Sequence, residues 1–461
     1  MNTPMHHAAT RAAAYRTRVL AAPATAPSPY ATLLAAFAAP LPEQGSDGTA
    51  VIEELATLAE PGLHATTGAG FFGWVIGASH PVGVAADWLT AAWGQNAGNQ
   101  TASPAAASAE TVAAEWLLDL LDLPRDASLG FVTGATMANF VCLAAARGAV
   151  LRRAGWDADA QGLFGAPAIT VITGDDAHST VFSALQFLGL GHDRVQRVAT
   201  DDQGRMQLAD FARVIASATG PLIVAMQAGQ LNTGGFDPAG IIALAQARGA
   251  WVHVDGAFGL WARACPSRAH LAAGLEAADS WATDGHKWLQ TPYDCGYAIV
   301  RDADAHRRAM TIAASYLPAV AAGERDPSHY VPELSRRARG FATWAMIRHL
   351  GRAGIAAMIE RHCTLATRIA TALAAEPGIA LANDVVLNQV ILRFGDDDAA
   401  TQATIARLQS DGAIFAGGAR WRGRWVLRLS VIAFPLDNDT ADRAIEAIRH
   451  AWLVTQQGGP A

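Results

Sequence analysis

Lysine is almost absent from this 461-residue sequence, because 33 of its 34 basic residues are arginine and only Lys287 is lysine. Such a bias is typical of a GC-rich, Ala-rich coding background and by itself indicates no function. Arginine stays charged and cannot act as an amine nucleophile, whereas lysine can lose its proton and form a Schiff base with a carbonyl. The lone lysine is either a chance survivor or a residue that arginine cannot replace, so its surroundings must decide.

Other scarcities exclude several classes of protein. The four cysteines contain no CxxC spacing, which argues against a disulfide framework or a zinc site and favours a reducing compartment. The net charge of −7 disfavours nucleic-acid binding. No uninterrupted run of about 18 or more apolar residues is present, so no transmembrane helix is predicted. We therefore expect a cytoplasmic protein without nucleic-acid or membrane partners.

Apolar residues are plentiful, at 51% of the chain against 16% charged residues, and they can form a large core. From about residue 110, helical segments alternate with short apolar runs, which we interpret as strands at 169–173, 222–226, 251–254 and 297–300. This alternation predicts an α/β fold with a mostly parallel sheet covered on both faces. The absence of an eightfold repeat argues against a barrel-type Schiff-base aldolase.

The length predicts two or three domains. We divide the chain into an N-terminal helical segment (1–102), a large sheet domain (103–345) and a small C-terminal α+β domain (346–461). Within the last two, a long helical stretch is expected from about 335 to 375, followed by alternating strands and helices.

Lys287 lies in Asp284-Gly285-His286-Lys287-Trp288, just before the strand predicted at 297–300. The glycine predicts a tight turn that places the lysine at a strand edge. Trp281 and Trp288 on either side would partly desolvate the amine, which favours its neutral, nucleophilic form. A surface lysine with aromatic neighbours remains the alternative.

Two further polar residues follow predicted strands. Asp255 ends the apolar run 251–254, and His178 follows the run 169–173 after Gly174. Because ligands bind beyond the carboxyl ends of strands in open α/β sheets, both are candidate site residues. An acid there can bind a cation, a metal or a protonated ring nitrogen, whereas an ordinary turn or helix cap is the alternative.

The segment Thr133–Asn139 opens a predicted helix with small and hydroxyl residues. Free backbone N–H groups and the helix dipole make such a turn an anion site, although a capped helix start has the same composition. An amine, an acid, a flat imidazole and a phosphate cradle at strand and helix ends are the set that pyridoxal 5'-phosphate (PLP) requires. The sequence therefore predicts a PLP site.

With these motifs the chain resembles the group II pyridoxal-phosphate decarboxylases, the aromatic-L-amino-acid decarboxylase-like family, from about residue 50 to 450. The resemblance implies the fold type I, PLP-dependent transferase-like architecture and a homodimer. It also implies Lys287 as the Schiff-base lysine, Asp255 as the acid on the ring nitrogen and His178 as the ring-stacking residue. The remaining implied cofactor-binding residues are Ala135, Thr136, Ser179, Ala257, Asp284 and His286.

The resemblance also places Tyr316 at the mobile-loop tyrosine that protonates Cα after CO₂ leaves. Relatives that make aldehydes carry phenylalanine there, so Tyr316 favours simple decarboxylation, unless it is only a surface aromatic residue. Part of the substrate wall is implied in the N-terminal segment, where the stretch from His64 to Glu110 contains no Lys or Arg. The implied substrate residues are Phe72, Trp74, Val75 and Ser335.

We therefore predict a lyase that converts an aromatic or apolar L-amino acid into its amine and CO₂. Two alternatives stay open: an enzyme of the same fold with aldehyde-synthase or aldolase chemistry, and a non-catalytic binding protein. The chain departs from the family pattern at a few positions near the expected cofactor, namely Met137, Gly256, Gly285 and Gln230-Leu231.

Overall fold

The computed structural model describes residues 3–311 and 325–458. The helices are α1 (Pro4–Ala21), α2 (Tyr30–Phe37), α3 (Gly48–Ala59), α4 (Pro81–Trp93), α5 (Pro104–Leu120), α6 (Ala135–Arg153), α7 (Ala158–Gln161), α8 (Ser179–Phe187), α9 (Leu208–Ser217), α10 (Gly240–Gln246), α11 (Ala303–Met310), α12 (Arg339–Ala374), α13 (Asp398–Asp411) and α14 (Asn438–Gln456). The strands are β1 (Ser128–Val132), β2 (Thr170–Gly174), β3 (Gln196–Val198), β4 (Leu222–Gln227), β5 (Trp251–Asp255), β6 (Ser280–Asp284), β7 (Gly296–Val300), β8 (Ile379–Leu381), β9 (Gln389–Phe394), β10 (Gly417–Trp421) and β11 (Arg424–Ser430).

The chain divides into two compact units. The larger unit comprises residues 79–366 and 383–389, and the smaller unit comprises 1–78, 367–382 and 390–461. The division into three domains that we drew from the sequence stays a prediction.

The larger unit is built on a seven-stranded sheet of order β1-β7-β6-β5-β4-β2-β3. Strands β3, β2, β4, β5 and β6 are parallel neighbours, and β7 runs antiparallel to both β6 and β1. Every residue of β4, β5, β6 and β7 is buried, as expected for strands covered by helices on both faces. The predicted, mostly parallel sheet is confirmed.

Helix α6 packs closely against this sheet because its buried face is rich in alanine and glycine. Ala144, Ala145, Ala146 and Gly148 are all buried, and the helix joins the core beneath β5, β6 and β7. Small side chains let the helix axis approach the strands. The close approach carries the N-terminus of α6 to the carboxyl end of the sheet.

The smaller unit contains a four-stranded sheet of order β10-β11-β9-β8, with α13 and α14 packed against each other. Helix α14 begins with a capping box in which Asp437 and Thr440 satisfy each other's backbone N–H groups. Helices α1 and α3 also pack together in this unit.

The predicted strands at 169–173, 222–226, 251–254 and 297–300 are confirmed as β2, β4, β5 and β7. Strand β6 differs from expectation, because the residues before Lys287 form a strand and not only a turn. The long helix predicted at 335–375 begins at Arg339 and is interrupted at Gly351, whose φ of 60° lies in the left-handed region. No helix in the two described ranges is long and apolar enough to cross a membrane.

Candidate active site

The carboxyl ends of β2, β5 and β6 and the N-terminus of α6 surround a cavity of about 340 Å³ in the larger unit. Parallel strands place their carboxyl ends at one edge of the sheet, so residues distant in sequence meet there. The predicted site residues that line this cavity are Ala135, Thr136, His178, Asp255, Ala257, Asp284, His286 and Lys287.

Lys287 follows β6 by three residues and lies beside the last residue of that strand. Its Nζ is 3.0 Å from Asp284 Oδ2 and 6.0 Å from the centroid of the Phe258 ring, and 18% of its side chain is exposed. Trp281 and Trp288 are fully buried instead, donating to the Leu275 carbonyl and to His362 Nδ1. The Phe258 ring therefore lies beside the amine.

Asp284 is a buried carboxylate with one oxygen occupied and one open. Oδ2 pairs with Lys287, and Oδ1 has no hydrogen-bond partner among the described residues. His286 Nε2 lies 3.6 Å from Oδ1. A buried polar atom without a partner costs free energy unless a ligand satisfies it, so this end of the cavity is built to receive polar groups.

Helix α6 begins at this end of the cavity. Its N-cap residue, Gly134, has no side chain that could accept a hydrogen bond from the first N–H groups of the helix. Those N–H groups are therefore available to an anion. A Cβ on Gly134 would lie 3.0 Å from His286 Cε1, and one on Gly296 would lie 2.5 Å from Gly134 Cα. The two glycines thus let the turn close tightly around the helix N-terminus.

His286 and Tyr293 form a stacked pair at the cavity wall. Their ring centroids are 4.3 Å apart with an interplanar angle of 28°, and His286 Nδ1 accepts a hydrogen bond from the Cys295 N–H. Burial lowers the pKa of His286, which favours a neutral imidazole carrying its proton on Nε2. Burial also raises the pKa of Tyr293, so its phenol stays protonated.

Tyr293 lines the cavity but was not identified from the sequence. The available signal was its position between Lys287 and the strand predicted at 297–300.

Asp255 lies at the end of β5 with both oxygens bonded. Oδ1 accepts from the Ala257 N–H at 3.2 Å, and Oδ2 accepts from Asn139 Nδ2 at 3.2 Å. Asn139 also donates to Thr180 Oγ1, which lies 2.9 Å from His178 Nδ1. Asn139 and Thr180, which sequence reasoning had not assigned to these contacts, therefore connect the predicted acid with the predicted stacking imidazole.

The remaining predicted site residues are not brought together by the described geometry. Ser179 is exposed at the start of α8, and Ser335 is exposed in the segment before α12. The substrate residues Phe72, Trp74 and Val75 belong to the smaller unit, where Phe72 and Val75 are buried and Trp74 is half exposed. Their roles stay predictions, and Tyr316 lies outside the described residues.

The residues present fit PLP. An uncapped helix N-terminus suits its phosphate, a lysine amine suits its aldehyde and a carboxylate suits its protonated ring nitrogen. The helix N-terminus belongs to α6, the lysine follows β6 and the carboxylate ends β5. His178 also lines the cavity. No group of three or more metal-ligating side chains occurs in residues 3–311 and 325–458.

Comparison with known proteins agrees with this chemistry. Residues 31–394 match the model of the pyridoxal-dependent decarboxylase conserved domain. Tryptophan decarboxylase 1 of Oryza sativa subsp. japonica is 28% identical over 413 residues, covering 82% of this chain and 79% of that protein. L-2,4-diaminobutyrate decarboxylase of Rhizobium meliloti (strain 1021) is 30% identical over 426 residues, covering 89% of this chain and 83% of that protein.

Solved structures share the fold. The crystal structure of Oryza sativa TDC with PLP and tryptamine aligns with a TM-score of 0.90, covering 99% of this chain and 97% of that chain at 24% identity. This likeness confirms the expected fold type I architecture. The chain belongs to the pyridoxal-dependent decarboxylase family and is a lyase with PLP as its cofactor.

Proposed function

We propose that this enzyme removes the α-carboxylate of an aromatic or apolar L-amino acid and releases the amine and CO₂. The observation that carries the proposal is that Lys287, its partner Asp284, the N-terminus of α6 and the Asp255 carboxylate line one cavity. When bound there, PLP supplies an electron-poor ring that takes up the electron pair of the broken Cα–carboxylate bond.

Lys287 would hold the cofactor through Nζ between turnovers and release it to the substrate amine. Asp284 Oδ2 lies 3.0 Å from Nζ. It is placed to accept the proton that Lys287 must lose to bind the cofactor, and to pair with the ammonium once Lys287 is released and protonated again. The first N–H groups of α6, around Ala135 and Thr136, would bind the phosphate, with His286 closing that end.

Asp255 would keep the ring nitrogen protonated, because a buried carboxylate beside that nitrogen stabilises its positive charge. His178 would lie flat on the ring. Its Nδ1 accepts from the Thr180 N–H at 3.3 Å and lies 2.9 Å from Thr180 Oγ1, so a neutral ring carries its proton on Nε2. That N–H can donate to the substrate carboxylate and orient it for loss.

An uncharged side chain on the substrate is supported by the residues that line the cavity. Apart from Lys287 and the two histidines, the described lining contains no basic residue, and it includes Leu231, Phe258 and Tyr293. A substrate carboxylate side chain would need a cation there, whereas an apolar or aromatic side chain would not.

The test is CO₂ release from a panel of L-amino acids by the purified, PLP-loaded protein. We expect turnover with tryptophan, tyrosine, phenylalanine or leucine, and little with glutamate or 2,4-diaminobutyrate. Preferential turnover of either charged amino acid would contradict the substrate class, and CO₂ release from none of the six would contradict the reaction.

Replacing Tyr316 with phenylalanine separates amine formation from aldehyde formation. If Tyr316 protonates Cα, the variant should release less amine and, with dissolved O₂ as the oxidant, more aldehyde together with ammonia and H₂O₂, because protonation of Cα no longer competes with its oxidation. Products are measured by chromatography of the reaction mixture, with the wild-type protein run in parallel. Unchanged amine output would remove Tyr316 from the proposed mechanism.

A homodimer is the second part of this proposal. Helix α2 has no buried residue, and its Tyr30, Leu34 and Phe37 are 78%, 54% and 46% exposed. Apolar faces of this kind usually mark protein–protein contacts. Sedimentation velocity should give about twice the mass of one chain, and a monomer at micromolar concentration would contradict the assignment. A cytoplasmic location is proposed on the reduced state expected for the cysteines.

A further inference from the structure

One buried amide makes three side-chain hydrogen bonds beneath the cavity. Asn139 on α6 is fully buried, and its Nδ2 is 3.2 Å from Asp255 Oδ2 and 3.1 Å from Thr180 Oγ1. Its Oδ1 is 2.9 Å from His253 Nε2. Both N–H groups of the amide therefore donate to residues that line the cavity, Asp255 and Thr180.

The direction of each bond follows from the chemistry of the partners. His253 is fully buried in β5, and burial lowers its pKa to about 3, so the imidazole is neutral. The Asn139 nitrogen donates to Asp255 Oδ2, so the amide oxygen faces His253 Nε2. His253 therefore carries its proton on Nε2 and donates to Asn139.

The other nitrogen of His253 completes a chain of donors. His253 Nδ1 accepts from Ser280 Oγ at 3.0 Å, and Ser280 Oγ accepts from Trp251 Nε1 at 2.9 Å. Because the neutral His253 carries its proton on Nε2, Nδ1 can only accept from Ser280, and the chain runs from Trp251 to Ser280 to His253 to Asn139. A reversed Asn139 amide would place its oxygen against the Asp255 carboxylate and its nitrogen against an N–H.

The same amide reaches His178 through Thr180. Because Thr180 Oγ1 accepts from Asn139, its hydroxyl proton is available for His178 Nδ1, 2.9 Å away. The carboxylate at one wall of the cavity and the imidazole at another are thus connected through Asn139, which does not itself line the cavity, and Thr180, which does.

We propose that Asn139 is a positioning residue that couples the Asp255 carboxylate to the His178 ring, with His253 donating to its amide oxygen. The proposal rests on the function proposed above for Asp255 and His178. Its consequence is that one substitution at Asn139 changes both the protonation of the cofactor ring and the tightness with which the ring is held.

Asn139→Asp is the test, because it keeps the side-chain size and replaces both N–H donors with an acceptor. The pH at which the absorbance of the lysine-bound cofactor changes should shift, and PLP should bind the apo-protein about tenfold more weakly. Both quantities are measured without substrate, by spectral titration and by fluorescence quenching. A wild-type titration midpoint and affinity would overturn the proposal.

Asn383→Asp is the matched control. Asn383 is also buried in the larger unit, but its Nδ2 donates to the carbonyls of Thr233 and Gln389. This variant should lose thermal stability and keep the wild-type cofactor spectrum. An equal spectral shift in both variants would indicate a general structural effect and overturn a specific role for Asn139.

His253→Leu keeps the proposal testable if Asn139→Asp does not fold. Without the imidazole, Asn139 Oδ1 loses its hydrogen-bond donor and the amide is held less firmly, so the spectral midpoint should also shift, by a smaller amount. An unchanged midpoint in a folded His253→Leu protein would overturn the role of His253 and the directed chain. Every readout of this test is a property of the bound cofactor. Wild-type cofactor spectra in the variants would overturn the role of Asn139 but, with normal CO₂ release, would leave the proposed function intact. Absence of CO₂ release from the amino-acid panel would contradict the proposed function without affecting this test.

Discussion

The two ends of the seven-stranded sheet use similar side chains for different purposes. At the carboxyl end, the buried Asp255 bonds to the side chain of Asn139, and Asp284 pairs with Lys287. At the amino end, Asp279 accepts from the Val252 N–H at 2.8 Å, and the buried His306 bonds to Ser128 Oγ and the Tyr330 carbonyl.

The difference lies in what the polar groups bond to. The amino-end groups bond largely to backbone atoms and complete the hydrogen bonding of strands and loops, which stabilises the fold. The carboxyl-end groups bond to one another and border a cavity, and one oxygen of Asp284 has no partner among the described residues. Burial and a shifted pKa occur at both ends, so neither property by itself identifies the site.

The largest effect is expected at Lys287. Lys287→Ala should reduce CO₂ release to background, since no other side-chain amine exists in the chain to replace it. Lys287→Arg, which keeps the charge, should be equally inactive. Borohydride reduction of the PLP-loaded wild type should add one cofactor mass to the Lys287 peptide. Substantial turnover in either variant would contradict the assignment.

Asp255→Asn and Asp279→Asn compare the two ends directly. Loss of the negative charge at Asp255 should lower kcat/KM by about a hundredfold or more, because an amide does not stabilise a protonated ring nitrogen. Asp279→Asn should keep kcat/KM near the wild-type value and lower Tm by a few degrees. Steady-state kinetics and thermal melts measure both, and equal kinetic losses would remove the contrast between the ends.

The smallest effect is expected for the contribution of His306 to the pH dependence of the free energy of unfolding. Burial lowers the pKa of His306 to about 3 from its ordinary 6.5, so between these values the unfolded chain binds the proton and the folded chain does not. Wild-type stability therefore declines as pH falls below 6.5, by up to about 1.4 kcal/mol per pH unit from this residue. His306→Leu should lack this contribution.

The stability deficit of His306→Leu relative to wild type should consequently be smaller at about pH 5 than at about pH 8. Urea unfolding at the two pH values measures it, with PLP in excess throughout. A deficit that stays constant or grows on acidification would mean that His306 is already protonated in the folded protein.

The sequence allowed much of the sheet and of the cavity to be predicted. Strands β2, β4, β5 and β7 are apolar runs, and Asp255, His178 and Lys287 follow or end strands, where α/β folds place their ligands. Strand β6 was missed because Ser280-Trp281-Ala282-Thr283-Asp284 has a mixed composition, and only its central place in the sheet explains its complete burial.

The contacts of Asn139 could not be predicted for a different reason. Asn139 lies within the predicted phosphate turn, but its partners His253 and Asp255 are 114 and 116 residues away in sequence. Only the stacking of α6 on β5 brings them together. Such contacts depend on helix packing, which local sequence patterns do not encode.

Lys287 is the only lysine of the chain, and this has a practical consequence for handling the enzyme. If Lys287 holds the cofactor at Nζ as proposed, the terminal amine is the only primary amine left for reagents such as N-hydroxysuccinimide esters. The stoichiometry of acylation then counts active sites: one label per fully loaded chain and a second as the cofactor is removed. The same property allows attachment to a solid support through a single defined point.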